Sequence, residues 1–314
     1  MKRLNILTWP IHGSYFNNLA RTEHNWYVPV KEDRGQEGYG GRGWTFDLPD
    51  YVVEVPAEQV RDLDLDLILF QTPRNYHEDQ HEILSGAQRR LPRIYLEHNT
   101  PRPHPTDTRH YVEEPDVLVV HVTRYNQLMW DTPAPNIVIE HSVSIDPQAQ
   151  YRGALARGIT VCNGMQKRPR ISGYDLFLQA RQQVALDAAG MQTEQFGGLG
   201  DIPYRHLHQR MADYRFLYSP MRYTSLPLAV IEAMTIGMPV VALATTELPS
   251  VIEQGVHGYL SCDPQALVGH MRALLDDPAL ARRLGANARE LARERFGLER
   301  FVRDWNAAFA RVCG

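Results

Sequence analysis

The sequence predicts an α/β protein made of two successive Rossmann-like parallel-sheet domains facing a ligand cleft. Three observations carry this. Short apolar, β-like runs alternate with helical ones along the 314 residues, the pattern of parallel strands joined by crossover helices. Several of these runs lack polar alternation, as strands buried on both faces do. The length suits two domains, and the pattern breaks at residues 144–156, where Asp146, Pro147 and Gly153 interrupt both periodicities.

In chain order, strands are predicted at 4–9, 51–55, 65–71, 93–97, 117–122 and 136–140. Helices fit 15–21, 75–90 and 124–130, and the glycine- and charge-rich stretch 31–43 reads as a loop. In the second half, strands are predicted at 159–163, 195–197, 215–218, 240–244 and 258–261. Helices fit 174–189, 204–211, 226–235, 264–275 and 280–295. The last segment, 298–312, spaces Phe301, Trp305, Phe309 and Val312 as one helical face. The domains expected are 1–148, 149–296 and a closing helix, 297–314, that returns to the first domain.

Composition narrows the function. Hydrophobic residues make up 43% and charged residues 22%, which excludes a disordered chain. No apolar run approaches the roughly 20 residues of a membrane span. The start is basic at Lys2 and Arg3 but has no signal-peptide apolar stretch, so a cytoplasmic protein is expected. Three scattered cysteines, Cys162, Cys262 and Cys313, do not make a disulfide framework. A net charge of -4 argues against sequence-blind nucleic-acid binding. Lysine is confined to Lys2, Lys31 and Lys167, a usage that fits codon bias.

His77-Glu78-Asp79-Gln80-His81 matches a zinc-hydrolase pattern, H-E-x-x-H. Asp79 inside it and Glu82 after it are charged, where a buried zinc helix needs uncharged residues, so it reads as a solvated helix face.

The informative stretch runs from Leu217 to Leu260. Leu217-Tyr218-Ser219-Pro220 is followed by Thr224-Ser225-Leu226-Pro227-Leu228-Ala229-Val230-Ile231-Glu232-Ala233-Met234. Gly237-Met238-Pro239-Val240-Val241-Ala242, Leu248-Pro249-Ser250 and Gly255-Val256-His257-Gly258 come next. This resembles the donor-binding signature of retaining GT-B glycosyltransferases, especially family 4. A loop entering a helix N-terminus offers free N–H groups to a diphosphate, and Tyr223, Thr224, Ser225 and Leu226 fall there. A carboxylate one or two turns further on can accept both ribose hydroxyls, and Glu232 is so placed.

The chain departs from the family pattern at two places. A second glutamate, eight residues before the first, usually contacts the donor sugar; here that residue is Thr224. The Arg and Lys that usually hold the pyrophosphate are replaced by Met165 and Ser172, near Gly164. Lys167, Arg168 and Arg170 lie between them and are the candidates for neutralising the leaving diphosphate.

In the first half, the strand ending at Glu97-His98-Asn99 resembles the family's strand with a cleft histidine, which makes His98 the candidate contact to the donor sugar. Gly13, after the first strand, is a candidate for close approach to phosphate. His12, Asn99 and Arg124 are candidates for the acceptor, and His104, Asp107 and His110 form a polar loop near the same edge. The resemblance implies a metal-independent transferase with a nucleoside-diphosphate sugar as substrate and no cofactor. The acceptor would be a glycan, a lipid-linked group or a small molecule. No side-chain nucleophile is required, since the leaving diphosphate deprotonates the acceptor. Thr224 and the displaced cations also fit a catalytically impaired GT-B partner protein. A nucleotide-sugar epimerase would need cleft carboxylates, and the sequence shows no convincing set.

Overall fold

The computed structural model describes residues 2–43 and 45–314. The chain divides into two compact units, Met1–Ser142 with Leu298–Gly314, and Val143–Gly297.

The first unit holds seven parallel strands: β1 (Asn5–Thr8), β2 (Asn25–Val30), β3 (Val52–Pro56), β4 (Leu67–Phe70), β5 (Arg93–Glu97), β6 (Val117–His121) and β7 (Asn136–Val138). Their order is β3-β2-β1-β4-β5-β6-β7, so the winding reverses between β1 and β4. All residues of β4 and β6 are buried, as expected of unalternating runs covered on both faces.

β2 was not foreseen. Pro29 in Trp26-Tyr27-Val28-Pro29-Val30 speaks against an inner strand. Backbone alternation explains the tolerance. Asn25 N–H donates to Leu4 of the β1 side and Trp26 N–H to Tyr51 of the β3 side. Pro29 shares the parity of Asn25, and the pairing with β1 ends at Tyr27. The missing N–H therefore faces a side where no ladder bond is due.

The helix expected over 75–90 is three short turns: a π turn at Asn75–Asp79, an α turn at Gln80–Ile83 and a 3-10 turn at Gln88–Arg90. Ser85 N–H donates to Gln88 Oε1 and Gln88 N–H to Ser85 Oγ, a reciprocal cap that starts a new turn.

The closing helix, Leu298–Cys313, is part of this first unit. Phe301, Trp305 and Phe309 are fully buried and share a core with Tyr15, Phe16 and Trp26. Trp305 Nε1 donates to Tyr15 Oη at 3.2 Å, and the Phe301 ring meets Tyr15 edge-on. Arg300 donates to the carbonyls of Glu140 and His141.

The second unit holds β8 (Leu155–Val161), β9 (Leu186–Ala189), β10 (Tyr214–Ser219), β11 (Val240–Leu243) and β12 (Gly258–Ser261). All are parallel in the order β12-β11-β10-β8-β9, with the reversal between β8 and β10. The strand expected at 195–197 is instead part of a 3-10 turn, Thr193–Phe196. The strand sits earlier, inside the helix expected over 174–189, which stops at Arg181. Leu-Asp-Ala-Ala has no β propensity of its own; pairing with β8 and burial of Leu186, Ala188 and Ala189 impose it.

The division between units falls after Ser142, ahead of the expected boundary at 148. Val143 and Ile145 already pack on the second core, and Asp146 N–H donates to His208 Nδ1. Among the described residues, no helix is long and apolar enough to cross a membrane.

Trp305→Ala should destabilise the first unit by about 3–5 kcal/mol, the usual cost of emptying a buried aromatic site. Urea unfolding monitored by circular dichroism measures it. A loss below about 1 kcal/mol would show that the closing helix is not part of this core.

Candidate functional site

In wound parallel sheets, ligands bind beyond the carboxyl ends of strands where the strand order reverses. Each unit has one such point.

In the second unit it lies between β8 and β10. Thr160 Oγ1 donates to the Tyr218 carbonyl at 2.8 Å and ties the two strand ends together. Residues Thr160, Cys162, Ser172, Pro220, Met221 and Pro227 line a cleft there. Gly173 has φ 74° and lies against the next loop: a Cβ would fall 1.9 Å from the Pro220 carbonyl oxygen. Only glycine fits both constraints.

The loop after β10 feeds the helix Leu228–Ile236, whose N-cap is Pro227. Tyr223 and Thr224 are half-buried, and Ser225 and Leu226 are buried, just before that N-terminus. Glu232 sits in the second turn and is 4% exposed. Tyr204 Oη donates to its Oε1 at 3.1 Å, and His208 Nε2 stands 3.7 Å from the same oxygen. His208 Nδ1 accepts the Asp146 N–H, so Nε2 carries the ring proton and turns it toward the carboxylate. Both contacts fall on Oε1. Among the described residues Oε2 has none, which leaves it able to accept hydroxyls.

The loop after β8 contains Gly164, in left-handed conformation with its N–H on the Met191 carbonyl. Met165 is buried, and Ser172 Oγ donates to the carbonyls of Met165 and Arg168. The two positions where the family resemblance places cations thus hold the loop to itself. Lys167, Arg168 and Arg170 are exposed. Arg170 pairs with Asp175 at 2.7 Å. Asp175 also takes both terminal nitrogens of Arg222, at 2.6 and 2.8 Å, and Arg222 beside it is the main reason its carboxyl is held below the usual range. Among the described residues, Lys167 and Arg168 have no acidic partner.

In the first unit the reversal lies between β1 and β4. Gln71, just past β4, donates to Thr8 Oγ1 at 2.9 Å and to the Trp9 carbonyl at 3.1 Å. Its Oε1 lies 3.0 Å from His98 Nε2. His12 and Tyr15 present ring edges to His98, with centroids at 4.5 and 4.9 Å. Burial pushes His98 well below the ordinary histidine range and lowers His12 less. His141 is also buried, neither ring nitrogen has a hydrogen-bond partner among the described residues, and burial pushes its pKa down to about 3.

Gly13 opens the helix Gly13–Leu19, facing the Phe46 ring. Asn99 is exposed, and its carbonyl accepts from Asn126 Nδ2 and Trp130 Nε1. Arg124, also exposed, begins the helix Arg124–Met129. His104 and Asp107 are exposed, but His110 is not part of an open polar loop. It is fully buried, against Glu97 and the Val112 N–H.

The structure thus brings His12 and His98 together in one unit. In the other it gathers Gly164, Lys167, Arg168 and Arg170 in one loop, and Thr224–Leu226 with Glu232 around one helix start. Gln71, Tyr204, His208 and Arg222 were missed. Each acts through a partner distant in sequence, and only the helical spacing of Tyr204 and His208 gave any prior signal.

Two wound parallel-sheet units of this kind are the architecture of the GT-B glycosyltransferases. More particularly, residues 186–291 match the family model of glycosyl transferases group 1. The chain is similar to sucrose-phosphate synthase from Thermosynechococcus elongatus, with a TM-score of 0.70, 15% identity and 99% of each chain covered. It is also similar to Anabaena HepE in complex with UDP, with a TM-score of 0.69, 14% identity, and 98% of this chain and 100% of that one covered. By sequence, 100 residues are 34% identical to D-inositol 3-phosphate glycosyltransferase of Streptomyces griseus, covering 29% of this chain and 21% of the relative. Another 32% identity over 105 residues links it to N-acetyl-alpha-D-glucosaminyl L-malate synthase of Bacillus anthracis, covering 32% of this chain and 27% of the relative. The chain therefore aligns with only 21% and 27% of these curated relatives' length.

His141 makes stability depend on pH. In the unfolded chain its pKa is near 6.5; in the fold it is about 3. The unfolded state therefore binds the extra proton, and stability present above pH 6.5 is lost as pH falls toward 3. The slope is up to about 1.4 kcal/mol per pH unit. Unfolding free energies of wild type and His141→Gln, measured between pH 7.5 and 4.5, should diverge in slope by that amount. Parallel curves would show that His141 is not buried neutral.

Proposed function

We propose that this chain is a retaining glycosyltransferase that moves a sugar from a nucleoside-diphosphate donor to a hydroxyl-bearing acceptor without a metal ion. The observation that carries this reading is Glu232. It stands in the second turn of the helix that follows the β8–β10 reversal, with Oε1 held by Tyr204 and Oε2 unengaged. A carboxylate so held accepts ribose hydroxyls, while the N-terminus of the same helix offers N–H groups to the diphosphate.

The group 1 match over this unit supports the class of reaction, and HepE, similar in fold, is a protein whose structure contains UDP. Lys167 and Arg168 supply exposed cationic charge on the loop after β8, of the kind that would neutralise a departing diphosphate. In a retaining reaction of this type the leaving diphosphate takes the acceptor proton on the face it departs from. His98 would contact the donor sugar, and His12, Asn99 and Arg124 the acceptor. The first unit would then be the acceptor domain and the second the donor domain.

Glu232→Ala should weaken binding of the preferred nucleoside diphosphate by about 1.5–3 kcal/mol in a folded protein, the worth of hydrogen bonds to a charged acceptor. Isothermal titration with UDP, GDP and ADP identifies the base and reads the loss. Unchanged affinity would remove Glu232 from the site.

Lys167→Ala and Arg168→Ala should slow turnover of the nucleotide sugar more than they weaken nucleoside binding, because charge on the diphosphate grows toward the transition state. Arg170→Ala should do less, since Arg170 already shares Asp175 with Arg222. Wild-type rates in the first two variants would leave the phosphates to the helix N-terminus alone. Tight nucleotide binding with no turnover of any sugar would instead favour a catalytically impaired binding protein, the reading that Thr224 supports.

A further inference from the structure

Past the carboxyl ends of β4 and β5, the first unit opens into a cavity of about 450 Å³. Glu97, Asn99, Arg102, Arg109, Tyr111 and Trp130 line it, and all belong to this unit. The size suits a small molecule. Glu97 is 3% exposed. Its Oε1 accepts the Asn99 N–H at 2.7 Å, and its Oε2 lies 3.1 Å from Tyr111 Oη and 3.3 Å from His110 Nε2. His110 Nδ1 accepts the Val112 N–H, so the proton is on Nε2 and the ring is neutral. The Tyr111 hydroxyl also meets that of Tyr95. A carboxylate only accepts, so Tyr111 gives its proton to Glu97 and takes that of Tyr95. These neutral donors orient the carboxylate without cancelling its charge. Among the described residues, His110 is its only ion-pair partner, and no lysine or arginine reaches it. A buried charge calls for an opposite one.

The other walls complement a cation. The Tyr111 and Trp130 rings form a corner, with centroids 6.4 Å apart and planes at 86°. Trp130 Nε1 is tied to the Asn99 carbonyl at 2.8 Å, and His110 stacks on Tyr111 at 4.4 Å, so both rings are held in place. Aromatic faces attract an ammonium group. The two arginines differ. Arg109 pairs with Glu113 at 2.7 Å and Asp131 at 3.5 Å. Arg102 is exposed and, among the described residues, has no acidic partner. The cavity therefore carries an uncompensated negative charge in its wall and an uncompensated positive charge in solvent reach.

We infer that this cavity binds a small zwitterion, its ammonium group on Glu97 in the Tyr111–Trp130 corner and its carboxylate or phosphate on Arg102. A plain amine would leave Arg102 facing a like charge, and a plain anion would bring a second negative charge to Glu97. Amino acids and amino-sugar phosphates share the required chemistry. The site stands on the cavity's own residues; that its occupant is the acceptor, offering a hydroxyl, rests on the transferase reading.

Isothermal titration of the full chain without nucleotide tests the site with two matched series. Glucosamine 6-phosphate carries both charges, glucose 6-phosphate only the anion and glucosamine only the ammonium. Serine, glycerate and ethanolamine repeat the comparison for an amino acid. In one series the zwitterion should bind at least about 10-fold more tightly than either relative, the worth of one charged hydrogen bond, and that series identifies the source. Glu97→Gln should weaken that zwitterion about 10-fold or more and leave the anion-only relative within about 2-fold. Arg102→Gln should weaken the zwitterion and the anion-only relative and spare the ammonium-only one. Thermal unfolding confirms that each variant is folded, and the ligand comparison on wild type needs no variant. No saturable binding in either series, a zwitterion no tighter than its relatives, or a Glu97→Gln loss equal for zwitterion and anion would overturn the inference.

Adding UDP-glucose to the complex reads the role of the occupant, and transfer of glucose to the zwitterion makes it the acceptor. Hydrolysis of UDP-glucose with no transfer to a bound zwitterion would overturn that role. A chain that binds the zwitterion but neither binds UDP, GDP or ADP nor hydrolyses UDP-glucose keeps the site and loses the transferase reading.

Discussion

One close contact shapes the candidate donor site: the backbone of Gly173 against the carbonyl of Pro220. It brings the loop after β8 up to the loop after β10, at the point where the sheet order reverses. No side chain could sit between them, because a Cβ would overlap the carbonyl and φ is already left-handed. The consequences extend in both directions. Arg222 N–H reaches the Ile171 carbonyl, its guanidinium reaches Asp175, and Ser172 closes the basic loop on itself. The loop that leads into the Leu228–Ile236 helix is thereby set against the loop that carries three exposed cations.

Much of this was legible in the sequence, for identifiable reasons. The strands at 93–97 and 258–261 are read with their observed bounds because turn residues flank short apolar runs. Glu232 was legible because the Pro-Leu-Ala-Val-Ile-Glu-Ala-Met stretch fixes its turn of helix, and the closing helix because Phe301, Trp305 and Phe309 recur at four-residue steps. β9 was hidden because alanines favour helix locally and only the pairing with β8 overrides them. β2 was hidden by Pro29, whose harmlessness depends on which neighbour its missing N–H faces.

The site residues divide the same way. Those carried by a local motif could be named. Those defined by distant partners could not: Gln71 meets His98 across 27 residues, Tyr204 meets Glu232 across 28, and Arg222 meets Asp175 across 47. The first two contacts orient His98 and Glu232, groups already singled out, and the third engages Asp175. The sequence therefore names candidate groups, while the fold supplies the geometry in which they stand. The positions vacated by the usual cations show this most clearly, since Met165 and Ser172 now serve the loop's own structure.

The central claim is that a nucleoside diphosphate binds at the β8–β10 reversal. Backbone chemical-shift mapping on titration with the best-binding nucleoside diphosphate tests it directly. Saturable shifts should concentrate in residues 164–173, 222–232 and the Tyr204–Met211 helix. Saturable shifts confined to other surfaces, or none with UDP, GDP or ADP, would contradict the account.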